Sequence, residues 1–154
     1  MGRQEWLEQR RKGLGGSDIA AIMGISKWST PMDIYLDKMG LSEDKDSNAK
    51  SRGRWLEPAI ANWFAETHGV HVNPGPEMPF QGEKDFMLGS PDFWVWDDDG
   101  GPNKNWGLEV KTSRDDAGWG TEGTDEIPAY YATQVHWYML VTGKDVWDVA
   151  VYFT

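Results

Sequence analysis

Two β-rich runs, FMLGSPDFWVW (residues 86–96) and WGLEVKT (106–112), constrain the fold of this chain more than any other feature. The segment between them, DDDGGPNKN, is dense in turn formers, so the runs are expected to pair as an antiparallel hairpin. A two-stranded hairpin alone is barely stable in water, so its apolar side chains need further strands or helices over them. The rest of the chain offers both. QEWLEQRRK predicts a short helix with Trp6 and Leu7 inward, and GGSDIAAIMG a glycine turn leading into a short helix capped by Ser17. TPMDIYLDKMG predicts a helix capped at Thr30, with proline at its first position and a stop at Gly40. LSEDKDSNAKS is expected to be a polar loop. A longer helix is expected over 55–68, with Pro58 near its start and a stop at Gly69. VHVNPGPEMPF suggests a broken strand, AYYATQVHWYMLVTG a helix and DVWDVAVYFT a last strand, with a long polar loop over 113–127. Helices, three strands, a helix and a strand in that order predict an α/β core around a mixed sheet flanked by helices.

The 154 residues contain no internal repeat and no linker long enough to divide them, so 1–154 is expected to be a single domain. Hydrophobic residues make up 39%, ten of them tryptophan, enough for a packed core. No apolar run approaches the roughly 20 residues that span a bilayer, and the start MGRQEWLEQRRKG lacks an apolar signal region. With no cysteine, disulfides, thiolate zinc and iron–sulfur clusters are excluded. A cytoplasmic protein without membrane partners is expected. The formal charge of -10 argues against a simple phosphate-coating DNA binder. Local basic groups, Arg3, Arg10, Arg11 and Lys12 at the start and Arg52 with Arg54 further on, leave room for a confined nucleic-acid site assisted by a divalent metal.

The hairpin carries charges where an apolar core is expected. Asp92 heads the first run after the Ser90-Pro91 bend, and Glu109 and Lys111 flank Val110 in the second. Alternation puts Glu109 and Lys111 on one face of their strand, and an antiparallel hairpin can bring Asp92 to the same place. Two carboxylates held together resist ionisation unless a cation lies between them. Mg²⁺, a hard ion with oxygen ligands, relieves that conflict, and a neighbouring lysine meets the negative charge of a phosphoryl transition state. The set D…E-x-K is thus suited to cutting phosphodiesters with metal-activated water. An exposed strand face with a cross-strand ion pair would give the same letters. The apolar surroundings favour the first reading, as do an acid on the preceding helix and Gln134 on the following one.

The motifs RRKGLGGSDIAAIMGIS, RGRWLEPAIANWF, GSPDFWVW, GLEVKTS and YYATQVHWYMLVTGKDVWDVAVYFT together resemble, in order, those of the lambda-type phage exonucleases and the YqaJ-like viral recombinase nucleases. These are a branch of the PD-(D/E)XK superfamily. The resemblance implies a restriction-endonuclease-like core and a metal-dependent exonuclease acting on linear double-stranded DNA from 5′ to 3′, in phage-type recombination. It implies Asp92, Glu109, Glu57 and the Val110 carbonyl as ligands of Mg²⁺, with Mn²⁺ able to substitute. Lys111 would orient or activate the attacking water, and Gln134 and Tyr131 would support Lys111 and the substrate. Arg10 and Ser17 match positions that receive a 5′-phosphate. A phage single-strand annealing protein is the partner implied, and a homo-trimer the assembly. The alternatives are an endonuclease on the same fold and an inactive module that binds DNA or protein.

Other features invite weaker readings. Arg52 and Arg54 are candidates for DNA contact or for solvating the helix start. Trp119, alone in the 113–127 loop, is a candidate for stacking on a base or for anchoring the loop, whereas Trp55, Trp63 and Trp137 are expected in the core. The three histidines lack the spacing of a metal site. DDDGG lacks the closing glutamate of a calcium loop.

Overall fold

The computed structural model describes residues 2–43, 48–100 and 104–154. The chain divides into two compact units, each assembled from three separate stretches: Met1–Asp44, Pro76–Ser90 and Ala117–Gly143 in the first, and Lys45–Gly75, Pro91–Asp116 and Lys144–Thr154 in the second.

The second unit holds the mixed sheet. Its strands are β1 (His71–Pro74), β4 (Phe93–Trp96), β5 (Asn105–Ser113) and β6 (Trp147–Phe153), in the spatial order β1-β4-β5-β6. β1 with β4 and β4 with β5 are antiparallel, and β6 joins β5 in parallel. The expected hairpin is therefore present as β4–β5; residues 101–103 of its turn lie outside the described residues. Phe93 and Val95 on β4 and Leu108 and Val110 on β5 alternate onto one face of the sheet, and α4 (Asn48–His68) lays Ile60, Ala61 and Phe64 over that face. Val95 and Leu108 are completely buried, a state that contributes about 1.5–3 kcal/mol for each such side chain.

Helix α4 departs from expectation in two ways. It begins no later than Asn48 rather than at Trp55, so Pro58 sits inside it and deprives the Arg54 carbonyl of its usual partner. Residues 48–51 are therefore helical rather than loop; residues 44–47 lie outside the described residues. The core of the sheet needs only one face of this helix. Trp55 and Trp63 consequently point outward, 82% and 53% exposed, against the expectation that they pack inside.

The first unit is mainly helical: α1 (Arg3–Arg11), α2 (Gly16–Ile22), α3 (Pro31–Lys38) and α5 (Ala129–Thr142), with a small sheet of β2 (Phe80–Gln81) and β3 (Leu88–Gly89). α3 has the predicted ends. The Thr30 hydroxyl accepts the Asp33 N–H at 3.2 Å, Asp33 takes the Thr30 N–H at 2.8 Å, and Gly40 leaves with φ +72°. α2 differs, because its cap is Gly15, whose N–H is held by the Asp18 carboxylate at 2.8 Å. Ser17 lies inside the first turn, leaving its hydroxyl for other partners. α2 and α5 approach so closely at Gly16 that a Cβ there would meet the Tyr138 ring at 2.6 Å, which requires glycine. Trp6 and Leu7 are half-buried on α1. Trp137 is also half-buried and donates to the Leu88 carbonyl at 2.8 Å. No described helix is long and apolar enough to cross a membrane.

Candidate active site

The acidic cluster is built where the hairpin pairing stops. The last β4–β5 pair is Phe93 with Leu108. One step further in the same register, Asp92 stands across from Glu109. β5 continues to Ser113 without β4 beside it, so its edge would expose bare backbone groups. Asp92 closes the first of these itself: its Oδ2 accepts the Val110 N–H at 2.9 Å. The chain reaches Asp92 through a tight contact that only glycine permits. Gly75 donates its N–H to the Asp92 carbonyl at 2.7 Å, and a Cβ on Gly75 would lie 1.9 Å from the Pro91 oxygen.

With Leu108 and Val110 in the core, Glu109 and Lys111 project from the opposite face of β5. Glu109 is 2% exposed and takes the Lys111 Nζ at 2.6 Å. Burial pushes the Glu109 carboxyl up to about 8 against the pull of Lys111, and the nearby Asp92 adds to the rise. The Asp92 and Glu109 carboxyl groups act on each other, so Glu109 does not ionise as readily as it would alone. Burial also raises Asp92, opposed by Lys111 and the Val110 N–H. From α4, Glu57 comes close enough for Asp92 and Lys111 to act on it. Burial and then Asp92 carry it to about 7, while Lys111 and Arg54 hold it lower.

Four of the predicted residues, Glu57, Asp92, Glu109 and Lys111, thus gather within the second unit, with Val110 supplying a backbone contact. Among the described residues no three His, Asp or Glu side chains stand in a ready-made metal cage. The donor set nevertheless suits a hard divalent cation. Asp92 raises the proton affinity of both Glu57 and Glu109, and a proton is retained where a cation would serve the same purpose.

That retained proton has a thermodynamic consequence. A carboxyl group raised in the folded state binds protons that the unfolded chain, with carboxyls near 4.5, has released. The stability it contributes is fully present below pH 4.5 and is lost as pH rises through 7 to 8. Chelator-treated protein should therefore lose stability between about pH 5 and about pH 8, on the order of 3 kcal/mol, chiefly through Glu109 because Glu57 is partly solvated. Thermal unfolding across that range should show Glu109→Gln gaining on wild type as pH rises. A constant difference between the two proteins would remove the argument.

Arg52 and Arg54 are exposed on α4, with the Arg54 charge felt at Glu57. Gln134 and Tyr131 are on α5, in the first unit. Gln134 is buried and donates to the Tyr138 hydroxyl at 3.0 Å. Tyr131 packs against Trp119, 5.7 Å between ring centres, and against Trp28 at 6.0 Å. Arg10 donates to the Ser17 hydroxyl at 3.4 Å, so these two do meet. His71 pairs with Asp98 at 2.9 Å, and no His-based metal group occurs among the described residues. Sequence reasoning passed over Asp18 and Lys38, which form a 2.8 Å ion pair beside Arg10. Asp18 was visible as the third residue of a helix start, but nothing in the letters pairs it with Lys38.

Comparison with known proteins agrees with this fold. The profile of the YqaJ-like viral recombinase domain matches residues 5–145. The uncharacterized protein YqaJ of Bacillus subtilis (strain 168) is 34% identical over 149 residues, which is 94% of this chain and 44% of that protein. The chain therefore spans under half the length of that relative. Among solved structures, the alkaline exonuclease LHK-Exo of Laribacter hongkongensis superposes with a TM-score of 0.72 at 20% identity, covering 97% of this chain and 74% of that one. Its complex with dAMP gives 0.73 at 20% identity, covering 97% and 73%. The α/β architecture with its mixed sheet is thus that of the alkaline exonuclease, a restriction-endonuclease-like fold, and the chain belongs to the YqaJ-like viral recombinase domain family.

Proposed function

We propose that residues 1–154 act as one nuclease domain: a metal-dependent exonuclease that degrades linear double-stranded DNA from 5′ to 3′ and leaves 3′ single strands for phage-type recombination. The observation that carries this reading is the gathering of Asp92, Glu109, Lys111 and Glu57 at the open edge of β5, in a chain with an alkaline exonuclease fold. Neither unit is one continuous piece of chain, which supports a single functional domain.

Asp92, Glu109, Glu57 and the Val110 carbonyl would hold Mg²⁺, or Mn²⁺ in its place; when bound, the ion supplies Lewis-acid activation of water and of the phosphoryl oxygen. Asp92 is held for this role by the Val110 N–H, which fixes one carboxylate oxygen. Glu109 is fixed by Lys111. Lys111 keeps a positive charge beside the scissile phosphate and orients the attacking water, with Gln134 and Tyr131 supporting it and the substrate. Glu57 brings the third carboxylate from α4, and the raised proton affinity it has beside Asp92 marks a position that a cation would relieve. Arg10 and Ser17 receive the 5′-phosphate of the DNA end, while Arg52, Arg54 and Trp119 are the further DNA contacts. A single-strand annealing protein as partner, a homo-trimer as assembly and the host cytoplasm as location complete the proposal.

The deciding experiment offers purified protein an end-labelled linear duplex and a covalently closed circle of the same sequence. The linear form should be digested only when Mg²⁺ or Mn²⁺ is added, with Ca²⁺ binding but not supporting turnover. Equal cleavage of the circle would make the protein an endonuclease. Failure to cleave either form with any of these ions would leave a binding module.

A further inference from the structure

Outside the acidic cluster, Asp18 is the one buried charged side chain among the described residues, 2% exposed. Its Oδ2 accepts the Gly15 N–H at 2.8 Å and faces the Lys38 Nζ at 2.8 Å, and its Oδ1 lies 3.8 Å from Arg10 Nη2. Lys38 Nζ also donates to the Arg10 carbonyl at 3.0 Å. The Arg10 guanidinium lies 4.7 Å over the Trp6 ring and donates to the Ser17 hydroxyl. One carboxylate therefore holds two cations.

A buried carboxylate that served only to fasten the fold would be satisfied by Lys38 and the Gly15 N–H. Arg10, at 3.8 Å, is near enough to be held electrostatically yet is not spent on a bond to Asp18. Its side chain stays 30% exposed, against 14% for Lys38 and 3% for Asp18. The guanidinium has five donors and the ammonium three. The group carries a net charge of one positive unit beside an exposed serine hydroxyl. Two cations this close would repel each other without the carboxylate, so Asp18 allows both to wait in place before any ligand arrives. A terminal phosphate monoester carries about 1.5 to 2 negative charges, more than an internal diester, and it gains most from a second cation.

We propose that Asp18 is the positioning residue of an anion cradle in which Lys38 is the second cation beside Arg10, and that this cradle distinguishes a 5′-phosphate from a 5′-hydroxyl DNA end. The inference rests on the DNA-end reading above and adds two residues to it.

The test measures affinity of the full chain, in chelator, for one short blunt duplex prepared with 5′-phosphoryl or 5′-hydroxyl ends. Wild type should prefer the phosphorylated duplex. Lys38→Met should reduce the ratio of the two affinities by roughly tenfold or more, the scale of one charge-assisted hydrogen bond. Asp18→Asn, which keeps an acceptor for Gly15, should reduce it at least as much, because both cations lose their anchor. Lys38→Arg should recover part of the ratio, and Lys12→Met, at an exposed lysine of the same basic group, should leave it unchanged. If Lys38→Met keeps the wild-type ratio with unchanged thermal unfolding, the cradle is wrong and Arg10 acts without it. Should Asp18→Asn fail to fold, the two Lys38 variants decide alone. A wild type without preference would instead remove the DNA-end reading, and this inference with it.

Discussion

Asp92→Asn is expected to abolish cleavage of linear duplex, lowering the rate at least roughly a thousandfold, the upper end of the loss for one electrostatic group at a reaction centre. Asparagine is the informative replacement because the Asp92 carboxylate has two tasks. One is chemical: it contributes charge to the acidic cluster. The other is architectural: it takes the Val110 N–H where β4 no longer covers β5. A carboxamide oxygen keeps the second task and loses the first. Alanine loses both, and leaving that N–H unpaired costs about 1–3 kcal/mol. Thermal unfolding in chelator should therefore show the asparagine variant at least as stable as wild type, since a negative charge that raises Glu57 and Glu109 has gone. The alanine variant should be less stable. Cleavage at the wild-type rate by Asp92→Asn would mean that the site is misplaced.

Lys111→Met should lower the single-turnover rate by roughly a hundredfold or more while DNA affinity changes little. Lys111 opposes the rise in proton affinity of all three carboxyl groups around it. Without it, Glu57, Asp92 and Glu109 hold their protons to higher pH, so a higher pH and more Mg²⁺ should be needed to reach the variant's maximal rate. Two effects are thereby separable. The shift in metal and pH requirement reports the lysine's influence on the acids. The deficit that persists at saturating Mg²⁺ and high pH reports its action on the phosphoryl group. A loss confined to DNA affinity would reduce Lys111 to a phosphate contact.

The local letters determined the elements that depend on neighbours in sequence. Thr30, Pro31, Asp33 and Gly40 define α3 because caps and stops act within one turn. Alternation of Phe93, Val95, Leu108 and Val110 around a turn-rich segment defines the hairpin, and Gly143, at φ +72°, ends α5. The D…E-x-K set was legible for the same reason, since a strand's period of two and a hairpin's register are local rules that bring Asp92 across from Glu109. Tertiary structure decided what depends on partners distant in sequence. Helix α4 runs through Pro58 because its packing on the sheet outweighs one lost hydrogen bond, and the sheet covers only one of its faces, so Trp55 and Trp63 remain outside. The proton affinities of Glu57, Asp92 and Glu109 follow from burial and from one another's charge, neither of which composition reveals. Lys38 meets Asp18 across twenty residues of chain. A sequence shows that such a lysine exists, but only the packing of one helix against another decides which carboxylate it serves.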